Sequence, residues 1–189
     1  MPDPQTDPEL LQALARGEQP ALRTLYDRHV DRVYNLALTY VQDPALAQEV
    51  TQDTFTKVWR SAGKFRGDSQ VTTWLYRIAV NTALSAARKQ QRRRVFGLFG
   101  EAPEVPDFAH PNALLESREE NRALMACIYQ LPERQKMAFL LSYVEELPRQ
   151  QVADVMNLSL KAVESLLIRA KRTLRVTLKT THPHRGRKK

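Results

Sequence analysis

One cysteine, six glycines and an aromatic content of 7% exclude several protein classes for these 189 residues. A lone thiol cannot close an internal disulfide, so the chain is no cystine-stapled secreted scaffold; Cys127, inside the apolar run ALMACIYQL, is expected to be a small core residue in a reducing compartment. No 18-residue apolar run is present to cross a bilayer, and the acidic, proline-rich start MPDPQTDPEL lacks the basic and apolar parts of a signal peptide, so a cytoplasmic location is expected. Alternating apolar and polar residues never persist long enough for a half-buried strand. A Walker-type glycine loop and a nucleophile elbow are both missing. His29, His110, His182 and His184 are scattered, with no cysteine or carboxylate beside the tail pair, so no metal, cofactor or catalytic activity is expected.

What is abundant is positive charge, and it comes in blocks. The net charge of +8 divides into −5 for residues 1–53, +9 for 54–94, −5 for 95–120, zero for 121–159 and +9 for 160–189. Two separated basic blocks imply two contacts with nucleic acid, and the acidic stretches between them should meet something else. Apolar residues recur at three-and-four spacing, first at Leu22, Leu25, Tyr26, Val30, Val33, Tyr34, Ala37 and Leu38, then at Val50, Thr54 and Val58. Asp7-Pro8 and Asp43-Pro44 read as N-cap residues followed by a proline at the first helical position. Residues 63–70, GKFRGDSQ, interrupt the helices. A long helix follows with Val71, Trp74, Leu75, Ile78 and Thr82 on its apolar face and the basic run RKQQRRR at its end. Glycine, proline and acid dominate 95–112; helices are expected again from Ala113, and one over 131–148 should open with Pro132 at its first position. The class is all-α: two small helical domains, 21–94 and 122–178, joined by a flexible linker over 95–121, with an N-terminal segment 1–20 and a basic tail 179–189.

The most specific stretch is QQVADVMNLSLKAVESLLIRAKRTLR, residues 150–175. Val152, Ala153, Val155 and Met156 form one helical face, and the phase then breaks at Asn157, Leu158 and Ser159. Asn157 tolerates a left-handed helix end, Leu158 plugs the corner, and Ser159 is a good N-cap. In the second helix Val163, Leu166, Leu167, Ala170 and Leu174 share one side, while Lys161, Ser165, Ile168 and Arg172 share the other, flanked by Glu164 and Arg169. This is the pattern of a helix-turn-helix that turns a basic face to the major groove. From 160 to the end the chain carries ten Lys or Arg and one acid, Glu164, an imbalance that phosphate binding explains better than solvation does.

Three motifs in this order resemble the bacterial RNA polymerase sigma factors of the sigma-70 family, above all its extracytoplasmic-function (ECF) group. DPALAQEVTQDTFTKVW, 43–59, is similar to the helix that binds core polymerase. FRGDSQVTTWLYRIAVNTAL, 65–84, is similar to the segment that reads the minus-ten element and melts the promoter. Residues 131–174 resemble the domain that reads the minus-thirty-five element. The resemblance implies a non-enzymatic specificity subunit whose partners are core RNA polymerase, promoter DNA and an anti-sigma factor, with no insertion into the membrane.

Site residues follow from it. Core polymerase would meet the polar, acidic strip Gln48, Glu49, Gln52 and Asp53. Minus-ten DNA would meet Phe65, Arg66, Asp68, Ser69 and Asn81 at unstacked bases and Arg77, Arg88 and Lys89 at phosphates, with Trp74 in the core. Minus-thirty-five DNA would meet Lys161, Ala162, Glu164, Ser165, Ile168, Arg169 and Arg172. The chain departs from the family pattern at Glu164 and Leu166, where basic residues are frequent, at Pro148, where many relatives have serine, and in its basic tail. A glutamate repels phosphate but accepts a hydrogen bond from cytosine N4, so Glu164 is a candidate for direct base reading. The linker could occupy the nucleic-acid channel of the polymerase or act as a plain tether. The alternative function, a free-standing helix-turn-helix regulator, needs a dimer interface or ligand pocket that no remaining segment supplies.

Overall fold

Thr6, not Asp7, caps the first helix. The computed structural model describes residues 5–95 and 118–181, with side chains at 5–93 and 124–178. Its element order is α1 (Asp7–Ala15), α2 (Gln19–Val41), α3 (Pro44–Ser61), a 3-10 turn (Ala62–Lys64), α4 (Val71–Val95), α5 (Arg118–Tyr129), α6 (Glu133–Tyr143), α7 (Arg149–Met156) and α8 (Leu160–Thr181). The described residues contain no strand, and the chain divides into two units, Met1–Pro103 and Glu104–Lys189, so the all-α expectation holds.

In the first unit the Glu9 carboxylate accepts from the Thr6 backbone N–H at 2.6 Å and from its hydroxyl at 2.9 Å. Both bonds run from Thr6 to Glu9, and with the Glu9 N–H facing the Thr6 side chain they make the capping box that Thr-x-x-Glu favours at a helix start; the backbone bond, then the hydroxyl bond, hold the Glu9 carboxyl below the usual carboxylate range. With the capping role taken, Asp7 is left to face α2. It accepts from Arg28 Nη1 at 2.9 Å and meets His29 Nε2 at 2.7 Å, which ties α1 to α2. The second expected cap is as anticipated: Asp43 Oδ1 accepts from the N–H of Ala45 at 3.0 Å and of Leu46 at 3.1 Å, with Pro44 at the first helical position.

Two helices of this unit bury more than one stripe. Leu25, Val33 and Ala37 of α2 are buried as expected, but Tyr26 is 37% exposed, whereas Leu36 and Tyr40, outside the expected set, are buried at 0% and 5%. The cause is that α2 is packed by α1, α3 and α4 together. Around α4 the buried arc runs through Leu75, Tyr76, Ala79, Val80, Ala83 and Leu84, so the apolar face is turned from the expected one, and Trp74 and Ile78 lie half-buried at its margin. The hydroxyls of buried Thr39, Thr51, Thr54 and Thr82 each donate to the carbonyl four residues earlier, at 2.7 to 2.8 Å, so their burial strands no donor.

In the second unit Ile128, Leu140, Leu141, Val152, Val163 and Leu167 are core, and Cys127 joins them at 4% exposure. Pro132 is an N-cap in extended geometry and not the first helical residue, and α6 stops at Tyr143, short of the expected end at 148. Pro148 disfavours helix at the residue before it, and the turn between them places Glu146 at φ 54. Pro148 in turn caps α7 without a side-chain acceptor. Asn157 closes α7 in the left-handed region at φ 52, ψ 51, and Ser159 Oγ accepts from the Ala162 N–H at 3.3 Å, both as the sequence implied. Leu158 is half-buried. The expected helical start at Ala113 and most of the linker lie outside the described residues, as does the tail beyond 181.

Candidate nucleic-acid interface

The exposed face of α3 changes sign along its length. Gln48, Glu49, Gln52 and Asp53 all lie on it, while Ala47, Val50, Thr54 and Val58 fill the buried side. Among the described residues, the side chains of this strip make no ion pair or hydrogen bond, so they present unspent acceptors and amides. One to two turns further on, the same face carries Lys57 and Arg60. Sequence periodicity identified the strip but not the basic residues that follow it.

The segment 65–70 follows directly. Phe65 N–H donates to the Ala62 carbonyl at 3.1 Å, and its half-buried ring leans on Trp74 with centroids 5.4 Å apart and planes at 60°. Trp74 was expected in the core. It is instead half-buried and supports Phe65 from below. Gly67 stands at φ 78, which other side chains adopt only under strain, and a Cβ at Gly63 or Gly67 would meet nothing within 4 Å, so space beside the loop is open. Arg66 and Asp68 are exposed, and Ser69 is half-buried.

The outward face of α4 continues from this loop. Trp74, Arg77, Ile78, Asn81, Ser85 and Arg88 recur at helical spacing on it, with Asn81, Ser85 and Arg88 exposed and Arg77 half-buried. Lys89 is exposed at its edge. From α3, Lys57 Nζ donates to Thr82 Oγ1 at 2.9 Å, beside Asn81 in sequence. The structure thus gathers an aromatic pair, an exposed amide and cationic side chains on the loop and α4. The acids of α3 stand on a different helix.

The second unit presents its candidates on one helix. Val163, Leu166, Leu167, Ala170 and Leu174 are buried, and Lys161, Glu164, Ser165, Ile168, Arg169 and Arg172 are exposed, with Ala162 intermediate. Ile168 is 69% exposed, an apolar side chain left in water among Lys161, Ser165, Arg169 and Arg172, and Val176 two turns on is 62% exposed. Arg169 Nε donates to the Ser165 carbonyl at 3.2 Å. Among the described residues Glu164 forms no ion pair. Lys171 lies with Nζ 4.8 Å from the centre of the Tyr143 ring, a cation–π contact the sequence did not signal.

Comparison with known proteins gives these surfaces a context. The profile of sigma-70 region 2 matches residues 25–93, and that of sigma-70 region 4 matches residues 121–174. The RNA polymerase sigma-H factor of Pseudomonas aeruginosa is 32% identical over 177 residues, covering 89% of this chain and 91% of that protein. The ECF RNA polymerase sigma-E factor of Escherichia coli is 31% identical over 177 residues, covering 89% and 92%. Among solved structures, CnrH in complex with the cytosolic domain of CnrY superposes with a TM-score of 0.68 at 24% identity, covering 92% of this chain and 97% of that one. The sigma factor RpoE from Bartonella quintana, in complex with the anti-sigma factor NepR, gives 0.65 at 20% identity, covering 83% and 96%. At these identities the two structures speak for the fold.

Proposed function

The chain belongs to the ECF group of sigma-70 RNA polymerase sigma factors and is a promoter-directing subunit; from that premise we propose how its surfaces divide the work. The exposed strip Gln48, Glu49, Gln52 and Asp53 docks on core RNA polymerase, its carboxylates accepting from basic groups of the partner. Lys161, Ala162, Glu164, Ser165, Ile168, Arg169 and Arg172 of α8 enter the major groove of the minus-thirty-five element. Phe65, Arg66, Asp68, Ser69 and Asn81 receive unstacked bases of the minus-ten element, and Arg77, Arg88 and Lys89 take phosphates nearby. Catalysis stays with the polymerase. The working domains are 21–94 and 122–178, joined by 95–121, and the protein acts in the cytoplasm, where an anti-sigma partner holds it in check.

The observation that carries this reading is the separation of surfaces within the first unit. Acid without internal partners stands on the first half of α3, while aromatic rings, amide and cations, with Asp68 as the one acid among them, stand on the 65–70 segment and α4. A protein docking face and a single-strand surface need those opposite compositions. Melting costs a few kcal/mol, roughly, per extruded base, and a stacking surface plus hydrogen bonds to the base edge return it. On α8, Glu164 and Ile168 lie one turn apart on the exposed side. A carboxylate there can accept from a cytosine amine and an aliphatic side chain can pack on a thymine methyl, which no phosphate contact would need.

The test is assembly and transcription. Purified chain mixed with core polymerase should form a stoichiometric complex on gel filtration, and that complex, but not core alone, should select promoters from a randomised template library. Tight duplex binding by the free chain, with no complex on core, would overturn the reading in favour of a free-standing regulator.

A further inference from the structure

Lys57 takes no part in the division of surfaces above, yet its side chain is held in place. Its ammonium donates across from α3 to Thr82 Oγ1 on α4 at 2.9 Å. Thr82 is 4% exposed, and its single hydroxyl proton is committed to the Ile78 carbonyl at 2.8 Å, so the oxygen can only accept from the lysine. The chain of donors therefore runs in one direction, from Lys57 to Thr82 to Ile78. Lys57 itself remains an exposed residue.

An exposed lysine stem ordinarily samples many rotamers, and fixing it opposes binding entropically. Here the buried threonine has already fixed it. An ammonium has three donors, Thr82 uses one, and among the described residues no carboxylate lies within ion-pair distance to use the others. The residue preceding Thr82 is Asn81, exposed on the outward face of α4. Lys57 also stands where the face of α3 has turned from Glu49 and Asp53 to Lys57 and Arg60, at the end nearer the 65–70 segment in the chain. A pinned cation with free donors, held at the residue next to an exposed amide, suits an oxyanion that passes along α4.

We propose that Lys57 is a backbone-contact residue for single-stranded DNA, its free donors taking a phosphate of the strand whose base meets Asn81. This rests on the assignment of α4 to the melted strand. The contact is blind to sequence, because a phosphate is the same at every nucleotide. It also joins α3 to the DNA, so that one helix serves the polymerase with its first half and the melted strand with its second.

The test uses holoenzyme and a fluorescein-labelled single strand carrying the non-template sequence of a promoter selected as above, together with a scrambled strand, titrated over a range of salt. Lys57→Met should weaken both strands alike, by roughly three- to tenfold at low salt, and reduce the salt slope by about 0.7, the value for one phosphate on single-stranded DNA. Lys57→Arg, which keeps the charge, should keep the slope. Unchanged affinity and slope in Lys57→Met would overturn the proposal, and so would a loss confined to assembly on core in a competition titration, which would place Lys57 in the polymerase dock. Asn81→Ala separates the two levels of inference. If it weakens the promoter strand while Lys57→Met does not, only the Lys57 contact falls; if neither variant changes binding, the assignment of α4 falls with it.

Discussion

The second unit puts the residues proposed to face DNA on one helix, whereas the first spreads its candidates over α3, the 65–70 segment and α4. In α8 the side chains that would touch DNA are not the ones that hold the domain together: Leu166 and Leu167 are buried while Ser165 and Ile168 beside them are exposed. Outer residues can change there with little effect on the core or on one another. In the first unit Phe65 leans on Trp74, and Lys57 is fixed by Thr82, so a change at one position alters how another is presented. Duplex reading by the second unit should therefore be close to additive, and strand capture by the first should not.

The largest expected effect lies on the dock. Glu49→Lys combined with Asp53→Lys should weaken binding to core polymerase by about a hundredfold, since reversal adds repulsion to the loss of attraction. Binding of the free chain to promoter duplex should hardly move. A double variant that still competes fully for core in a titration would remove α3 from the dock and blur the distinction between its face and that of α4.

Next in size is strand opening. Phe65→Ala with Asn81→Ala should leave closed complexes intact and slow opening by about tenfold or more, given roughly 1 to 3 kcal/mol for each base that loses its stacking partner. Permanganate reactivity of thymines in the melted region reads it. Normal reactivity in the double variant would end the assignment of the 65–70 segment. A Trp74→Ala variant sharpens the point, because its effect should fall to near nothing once Phe65 is already gone.

On α8, Glu164→Ala should relax the preference at one base pair by about 1 to 3 kcal/mol and leave the salt slope nearly unchanged. Arg172→Ala should weaken all sequences alike and flatten the slope by about 0.9. The double variant should show the sum of the two. Library selection with holoenzyme checks the first effect and duplex titration the second, and an unchanged base preference in Glu164→Ala would sink direct reading by that carboxylate.

The smallest effects separate the units by stability. Asp43→Ala removes an acceptor that serves two backbone N–H groups and should cost the first unit about 1 to 2 kcal/mol. Ser159→Ala removes one bond at 3.3 Å and should cost the second unit about 0.5 to 1 kcal/mol. Urea unfolding followed in each unit checks the order, and a larger loss from Ser159→Ala would reverse it.

The same contrast decides what could be read from the sequence. The corner at Asn157 and Ser159 and the two faces of α8 were legible because they depend on neighbours within a few residues, where helical spacing and capping chemistry suffice. The strip on α3 and the cap at Asp43 were legible for the same reason. What was missed depends on packing between helices. Asp7 looked like a cap until Thr6 and Glu9 took the role and turned it to Arg28 and His29 on another helix. Trp74 and Ile78 share a stripe with Leu75, and nothing local says that the stripe is rotated until they reach its margin. The bond between Lys57 and Thr82 spans two helices and has no signature in either. Pro132 failed differently, since proline suits both the last extended residue and the first helical one, and only the backbone separates them.

Asn81 and Arg88 sit seven residues apart on one face of α4, which runs unbroken through this span. At about 1.5 Å per residue that is roughly 10 Å, close to three steps of a stacked duplex. With the roles proposed above for Asn81 and Arg88, the interval between a base drawn out and a backbone gripped is metered by a rigid rod of fixed pitch, so the place where the strands part would be measured out from the grip, much as a gauge sets a cut.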